Sequence, residues 1–198
     1  MKISFSGAHR VGKTSLAERV AVENDLIMYY TNVSGVFKDK SVQFYEKELT
    51  GRQGFYMRLK RQQEILEHVI QGIRKGEPWS VYDRSPLDVA VYSELFLSEL
   101  LKTFDPNPAT FKCFHDHLNG MGKYLKEIDF YFIVQPGVKF VSDEKSCSPN
   151  TQEDFNDILL NWIERIPKDK YFVIDRDMLD FEERVTACNT VFRYFAKN

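Results

Sequence analysis

The sequence predicts an α/β fold in which helices cover both faces of a five-stranded parallel sheet. Apolar runs of strand length alternate along the chain with stretches of helical periodicity. A glycine-rich segment separates the first strand from the first helix, and polar residues follow other strands. Crossovers in such a sheet are right-handed, and ligands bind at the carboxyl ends of its strands. We therefore expect Gly7, Thr31, Asp83 and Gln135 to line one crevice.

The length and composition of the chain predict a single globular domain that spans residues 1–198. Hydrophobic residues make up 43% of the chain and aromatic residues 14%, which is enough for a sizeable core rich in phenylalanine. The net charge of −2 gives no overall attraction to nucleic acid or to an anionic membrane. No apolar run approaches the ~18 residues of a membrane helix. Cys113, Cys147 and Cys188 lack metal-ligand spacing, so we expect reduced thiols in a cytoplasmic protein without a signal peptide.

Periodicity and turn residues set the expected element bounds. Strands are expected at residues 2–6, 26–30, 79–82, 130–134 and 170–174. Helices are expected at residues 15–24, 41–49, 52–75, 87–104, 152–166 and 181–196, with one or two more between a break at 105–108 and residue 127. Helix 52–75 has one apolar face, with Arg58 and Arg61 elsewhere. Helix 87–104 is apolar nearly all round, which predicts a buried position and leaves a homodimer interface open. The polar segment 138–150 is expected to be irregular and to form a lid.

The first motif is the segment Gly7-Ala8-His9-Arg10-Val11-Gly12-Lys13-Thr14, which fits the phosphate-binding pattern G-x-x-x-x-G-K-[ST]. Its backbone N–H groups would surround a phosphate, and the helix that follows would point its positive end at the same anion. Lys13 would reach the β and γ phosphates of ATP, and the hydroxyl of Thr14 would bind Mg²⁺. The residues expected to bind the nucleotide are Gly7, Ala8, His9, Arg10, Val11, Gly12, Lys13, Thr14 and Ser15.

The second motif is Asp83-Arg84-Ser85-Pro86, at the end of the third strand. Asp83 would take the proton of an acceptor hydroxyl or act on the Mg²⁺ ion, and Arg84 would hold phosphate oxygens in a fork. Pro86 suits the first turn of the next helix. We expect Lys13, Asp83 and Arg84 to be catalytic and Thr14 and Asp83 to face the metal. A structural ion pair at the strand end is the alternative for Asp83 and Arg84.

These motifs and the helix after the second one resemble the P-loop nucleoside and nucleotide kinases, which include thymidylate kinases and deoxyribonucleoside kinases. Residues 86–96 and 135–144 look more closely similar to the P-loop kinase domain of bifunctional proteins that phosphorylate nicotinamide riboside. The resemblance implies a three-layer P-loop NTPase fold with strand order 2-3-1-4-5, using ATP and Mg²⁺. That group often carries an arginine and an Asp-Gly pair near its lid, where this chain has Asp143-Glu144-Lys145.

Further residues carry weaker indications, each with two interpretations. Arg10 faces either the γ phosphate or acceptor, or solvent. Arg176 either stacks on adenine or is an ordinary surface residue. Lys139 and Lys145 are lid cations or solvated lysines. The basic residues of helix 52–75 could form an acceptor site, although a solvated helix face is the simpler explanation for at least one of them; they are Arg52, Arg58 and Arg61. Tyr29, Tyr30 and Phe55 could stack on an acceptor base, but burial in the core is the simpler explanation. His115, Asp116 and His117 could form a metal site, but a polar, solvated helix face is favoured.

The two motifs together predict a kinase that transfers the γ-phosphoryl group of ATP to a nucleoside or to a nucleotide of the deoxynucleoside monophosphate type. One alternative is a kinase acting on a hydroxyl of a modified base or an end in DNA, through a basic patch of Arg52, Arg58, Lys60 and Arg61. Another is a P-loop ATPase or nucleotide-binding regulator. The ATPase interpretation is weaker because the sequence has no long apolar strand ending in Asp-Glu and no evident arginine finger.

Overall fold

A parallel sheet of five strands forms the centre of the computed structural model, which describes residues 1–31, 33, 50–137 and 149–196. The strands lie in the order β2-β3-β1-β4-β5, so the expected order 2-3-1-4-5 is confirmed. Their bounds are β1 (Lys2–Gly7), β2 (Ile27–Tyr29), β3 (Ser80–Tyr82), β4 (Phe130–Val134) and β5 (Tyr171–Ile174).

Helices form the two outer layers of the fold. Their bounds are α1 (Lys13–Glu23), α2 (Gly51–Lys75), α3 (Pro86–Leu101), α4 (Pro108–Gly122), α5 (Pro149–Ile163) and α6 (Phe181–Ala196). Helix α1 packs against α6, whereas α3 packs against α2, α4 and α5, and both α1 and α3 contact the central strand β1. Over the part of the chain that the structure describes, every helix is too short or too polar to cross a membrane.

The central strand β1 is buried on both faces, as expected for a parallel sheet between helical layers. Ile3 and Phe5 are fully buried, and the ring of Phe5 stacks on that of Phe132 in β4 at 4.8 Å. The alternate residues Ser4 and Ser6 are equally buried. Because Ser6 is polar and inaccessible to water, its hydroxyl must find a partner inside the protein, and that partner belongs to the candidate site described below.

Several element bounds differ from the expected ones by a few residues. The bounds of β4 and α6 are confirmed, but β3 begins at Ser80 because Trp79 adopts a left-handed backbone conformation with φ of 64°. Helix α3 ends at Leu101, three residues before its expected end. Helix α5 (Pro149–Ile163) begins and ends three residues earlier than expected. The expected helix at 41–49 and most of the expected lid lie outside the described residues.

Helix α2 buries more of its surface than its apolar stripe predicts. The expected apolar face is buried, but Arg58 and Gln62 are also only 4% and 3% exposed. The guanidinium carbon of Arg58 lies 4.7 Å from the centre of the Phe96 ring in α3. The expectation that Arg58 lies away from the buried face is therefore wrong, because α3 covers α2 beyond its apolar stripe. The predicted burial of α3 itself is confirmed.

Candidate active site

The segment from Gly7 to Thr14, here called the phosphate loop, connects β1 to α1 at the carboxyl end of the sheet. Arg10 and Gly12 have φ values of 63° and 87°, in the left-handed region. Left-handed residues placed among right-handed ones turn successive backbone N–H groups toward one side and form an anion-binding concavity. Gly12 is also the N-cap of α1, so the free N–H groups and positive end of this helix meet the same place.

Gly7 is required by the close approach of the central strands. A Cβ atom on Gly7 would lie 2.3 Å from the carbonyl oxygen of Val134 in β4, much closer than real side chains come. Gly7 therefore serves packing against β4, whereas Gly12 serves the left-handed turn. The two glycines of the motif meet different physical requirements.

Lys13 is the first residue of α1, and its side chain turns back over the phosphate loop. Its ammonium group donates a hydrogen bond to the carbonyl oxygen of Ala8 at 2.5 Å. Burial lowers the pKa of Lys13 to about 8. The charge of Arg84 also lowers this pKa, whereas the carboxylates of Asp88 and Asp83 raise it. A phosphate group beside Lys13 would favour its charged form, so this partly buried cation suits an anionic ligand.

Thr14 and Asp83 meet between α1 and the end of β3. The Thr14 hydroxyl donates a hydrogen bond of 2.9 Å to Asp83 Oδ1, although the residues are 69 positions apart. Burial raises the pKa of Asp83, and the Thr14 hydrogen bond and the charges of Lys13 and Arg84 oppose that shift. A hydroxyl and a carboxylate are the hard oxygen ligands that Mg²⁺ takes alongside nucleotide phosphates. These two side chains therefore fit the expected metal.

Arg84 lies between the end of β3 and helix α3. Its guanidinium carbon is 6.0 Å from the centre of the Tyr92 ring, and its carbonyl oxygen accepts a 3.5 Å hydrogen bond from Thr31 Oγ1. The Tyr92 ring stacks on Phe96 one helical turn further along α3. Thr31, Asp83 and Arg84 thus border the same side of the phosphate loop. On the other side, Gln135 Oε1 accepts a hydrogen bond from the Arg176 amide.

Asp88 is a residue of this site that the sequence reasoning missed. It is 2% exposed, and its carboxylate accepts hydrogen bonds from the Gly7 amide, the Ser6 hydroxyl and both the amide and the hydroxyl of Ser85. Ser85 and Asp88 form a capping box at the start of α3. That Ser-x-x-Asp pattern before an apolar helix was the local signal that could have identified the residue.

Gln152 and Arg184 also contact the phosphate loop and were missed. The Gln152 amide donates to the carbonyl oxygen of His9 at 2.9 Å, across 143 residues of sequence. Arg184 Nη1 donates to the carbonyl oxygen of Val11 at 3.3 Å, across 173 residues, and its Nε donates to the Met178 carbonyl oxygen. No local pattern marks these residues, because only the packing of α5 and α6 brings them to the loop.

Arg10 and Arg176 both expose their side chains in the structure. Arg176 lies just after β5, where its Nη2 is 3.2 Å from Glu153 Oε2 of α5. This ion pair holds the guanidinium near the start of α5 and beside the loop-contacting Gln152. Stacking of Arg176 on adenine stays a prediction.

The weaker candidates separate into buried and exposed residues. Phe55 is buried, and Tyr29 stacks on the buried Tyr82 with ring centres 5.3 Å apart. Tyr30 is exposed, and its hydroxyl donates to Glu18, so the expected core burial is wrong for this residue. Among the basic residues on α2, Arg52 and Lys60 are exposed, Arg61 is half-buried and Arg58 is buried. Lys139 and Lys145 lie outside the described residues.

The two histidines of α4 differ in environment. His115 and Asp116 are exposed, whereas His117 is 8% exposed and lines a cavity of about 470 Å³ between α2 and α4. Burial lowers the pKa of His117 to about 4, so the ring is neutral at physiological pH. The expectation of a solvated face is wrong for His117. Within the described residues, no group of three or more His, Cys, Asp or Glu side chains is placed to hold a metal ion.

Comparison with known families gives one match that spans nearly the whole chain. The model of a family described as AAA domain matches residues 2–184. No curated protein matches the chain.

Solved structures with the same fold include two kinases and a protein named NadR. A deoxyadenosine kinase from M. mycoides with bound dCTP has a TM-score of 0.69 and 16% identity, covering 98% of this chain and 100% of that one. NadR protein in complex with NR has a TM-score of 0.65 and 13% identity, covering 98% of this chain and 50% of that one. Thymidylate kinase from Candida albicans has a TM-score of 0.55 and 12% identity, covering 98% and 92%. At these identities the likeness concerns the fold, and the expected fold of the P-loop nucleoside and nucleotide kinases is confirmed.

Proposed function

The chain belongs to the AAA-domain family, and we propose that it is a kinase that transfers the γ-phosphoryl group of ATP to a nucleoside or nucleotide. The observation that carries this proposal is the contact between Thr14 and Asp83, 2.9 Å apart at the carboxyl end of the sheet. It joins a phosphate-binding loop to a carboxylate from another strand. A site that only binds a nucleotide needs the loop, whereas phosphoryl transfer also needs an oriented acceptor.

The donor side of the proposed site consists of the phosphate loop and Lys13. The loop amides and the start of α1 would hold the β and γ phosphates, with Lys13 neutralising charge that develops on the transferred group. Lys13 would exchange its hydrogen bond with Ala8 for one with a phosphate oxygen. Arg84, whose charge is near enough to affect Lys13, would add a second cation on the acceptor side.

Thr14 and Asp83 would hold Mg²⁺ together with the phosphates of the nucleotide. The ion would neutralise phosphate charge and align the reacting groups. Asp83 has a second proposed role when the acceptor is a hydroxyl, because its partial burial makes the carboxylate a better base. A phosphate acceptor is already ionised, and Asp83 would then act on the metal alone.

The acceptor would bind between α2 and α3, next to Arg84. There the stacked rings of Tyr92 and Phe96, with centres 5.6 Å apart, lie beside the guanidinium group of Arg84. Aromatic and guanidinium planes suit the stacking of a nucleobase, and guanidinium groups suit a phosphate. These features support a nucleoside or a nucleoside monophosphate as the acceptor class.

The distribution of basic side chains on α2 supports a small acceptor over DNA. A DNA-binding patch requires several cations that reach the backbone phosphates together. Arg58 is 4% exposed and packs on Phe96, which removes the central member of the expected patch. A kinase acting on DNA is therefore the less supported alternative.

The proposal is tested by incubating the protein with γ-labelled ATP and Mg²⁺ and a panel of acceptors. The panel contains nucleosides, nucleoside monophosphates, nicotinamide riboside and DNA with a free 5′ hydroxyl. We expect label in one class of nucleoside or nucleotide, and loss of that transfer in Lys13→Met. Label found only in free phosphate would contradict a kinase function. Label retained in DNA would replace the proposed acceptor with the DNA alternative.

A further inference from the structure

The outward-facing carbonyl groups of the phosphate loop are held by side chains from other helices. The carbonyl oxygen of His9 accepts from Gln152 of α5, and that of Val11 accepts from Arg184 of α6. In each peptide unit the N–H and the C=O point in opposite directions. Holding the carbonyl on the outer side of the loop therefore turns the adjoining N–H group toward the phosphate position.

Both side chains are buried, which makes their orientation specific. Gln152 is 7% exposed and Arg184 only 3% exposed. Arg184 also donates through Nε to the carbonyl oxygen of Met178, in the segment after β5. Its guanidinium thus joins the phosphate loop to a neighbouring segment of the same edge of the sheet.

Gly137 packs closely against the Arg184 guanidinium. A Cβ atom added to Gly137, which follows β4, would lie 2.9 Å from Arg184 Nη2 and 2.1 Å from the carbonyl oxygen of Arg176. The guanidinium is therefore enclosed by the segments after β4 and β5 and by the phosphate loop. In this enclosure it cannot swing away without moving one of the three.

Arg184 carries a positive charge that its two hydrogen bonds to carbonyl oxygens do not require. Burial lowers the pKa of its guanidinium, because the charged form loses hydration in the protein interior. Within the described residues its Nη2 has no hydrogen-bond partner. Neutral donors could satisfy the same two carbonyl groups, but only a cation also attracts an anion on the inner side of the loop.

We infer that Gln152 and Arg184 are positioning residues for the phosphoryl donor, Gln152 by orienting the loop and Arg184 by orienting it and adding positive charge behind it. This inference deepens the proposed kinase function and depends on phosphate binding at the loop. It assigns to α5 and α6 a part in donor binding that their sequences do not reveal. The phosphate chain is the part of the donor that the two residues would recognise.

The test compares the parent protein with Arg184→Met, Arg184→Lys and Gln152→Leu. Isothermal titration measures the binding of tripolyphosphate, a probe that has the phosphate chain of ATP without its base, and of ATP. We expect tripolyphosphate affinity to fall about tenfold in Arg184→Met and by a smaller factor in Arg184→Lys and Gln152→Leu. In an acceptor assay the KM for ATP should rise while the KM for the acceptor stays within about twofold.

Matched controls are Arg193→Met, an exposed position on the same helix as Arg184, and Asn161→Leu, an exposed position on α5. Both should bind tripolyphosphate like the parent. Circular dichroism and thermal unfolding test whether each variant is folded. If Arg184→Met does not fold, the tripolyphosphate affinities of Arg184→Lys and Gln152→Leu test the inference. Affinities for tripolyphosphate within twofold of the parent in the folded variants would overturn the inference alone. A parent that binds neither ATP nor tripolyphosphate would overturn the proposed function as well.

Discussion

The carboxylate of Asp88 accepts a 3.1 Å hydrogen bond from the backbone amide of Gly7, although 81 residues separate the two. The same carboxylate binds the Ser6 hydroxyl and caps the start of α3 at Ser85. One buried group thus fixes the end of β1, the first residue of the phosphate loop and the helix that follows the second motif. A residue that lies outside both motifs therefore holds them in place relative to each other.

Replacing Asp88 by alanine is expected to lower the free energy of unfolding by about 3 kcal/mol, because buried donors at Gly7, Ser6 and Ser85 lose their acceptor. Asp88→Asn keeps one carbonyl acceptor and should lose less. Urea unfolding followed by circular dichroism measures both variants. The exposed Asp157→Ala on α5 serves as the control. Equal stability of Asp88→Ala and the control would show that the carboxylate does not hold these elements together.

Asp83→Asn is expected to reduce kcat by about 10²-fold or more if Asp83 is the general base. The pKa of Asp83 is raised by burial, and the base must be deprotonated to act. The rate should therefore fall as the pH falls through a value above that of an ordinary aspartate, and this acid limb should disappear in Asp83→Asn. The profile of kcat/KM against pH measures both effects. Near-normal turnover of the variant would remove the base role, and the exposed Asp116→Asn should behave as the parent.

ATP affinity is expected to weaken above pH 8, because Lys13 has a pKa of about 8 and loses its charge as the pH rises through that value. Bound phosphate favours the charged amine, so binding at pH 8.5 should take up protons. Titration calorimetry in two buffers of different ionisation enthalpy detects this uptake. Lys13→Met should bind ATP weakly with no alkaline loss. An affinity that is constant from pH 7 to 9.5 in the parent would contradict the lowered pKa.

The partly buried Lys13 cation disfavours folding, since its loss of hydration in the folded protein disfavours the charged form. At pH 7 the free energy of unfolding of Lys13→Met should therefore exceed that of the parent by about 1 kcal/mol or more, because one pKa unit corresponds to about 1.4 kcal/mol. Denaturant unfolding measures this difference. The difference should shrink as the pH rises from about 8 toward 10.5, where the folded parent is already neutral and the unfolded lysine also loses its proton. A variant less stable than the parent at pH 7 would show that Lys13 stabilises the fold.

Alanine at the two motif glycines should have unequal effects. Gly7→Ala places a methyl group 2.3 Å from the Val134 carbonyl oxygen and should cost about 3 kcal/mol of stability, at the upper end for an overpacked site. Gly12→Ala meets no atom within 4 Å, and only its φ of 87° disfavours alanine, so about 1 kcal/mol is expected. Thermal unfolding compares the two variants directly. Equal losses would mean that backbone conformation alone requires both glycines.

Local patterns predicted the five strands and the approximate positions of the helices, whereas the strand order followed from the resemblance to the P-loop kinases. Apolar runs flanked by turn residues located β4 and α6 to the residue. Tertiary effects determined the differences. The left-handed Trp79 shortens β3, and α3 draws Arg58 into the interior of a helix whose charged residues looked solvated. A periodic pattern shows which side chains are apolar, but it does not show how wide a strip of the helix its neighbour will cover.

The residues of the candidate site likewise fall into two groups, those that local motifs predict and those that only tertiary packing brings to the site. Lys13, Thr14 and Asp83 lie in short motifs whose spacing has a chemical reason, so the sequence alone could nominate them. Gln152 and Arg184 act on the backbone carbonyls of His9 and Val11, and no side-chain pattern at those positions records that contact. Such partners become visible only when the topology has brought α5 and α6 to the loop.

The central position of β1 has a consequence for how the protein is made. The loop residues leave the ribosome before the two strands that flank β1, because Ile3 pairs with Val81 on one side and with Phe130 on the other. Contacts between such distant segments close large loops and form slowly. The nascent chain therefore carries its phosphate-binding residues without their supporting strands until β3 and β4 have also emerged. It acquires the shape of the site only after Val134 has emerged to lie against Gly7.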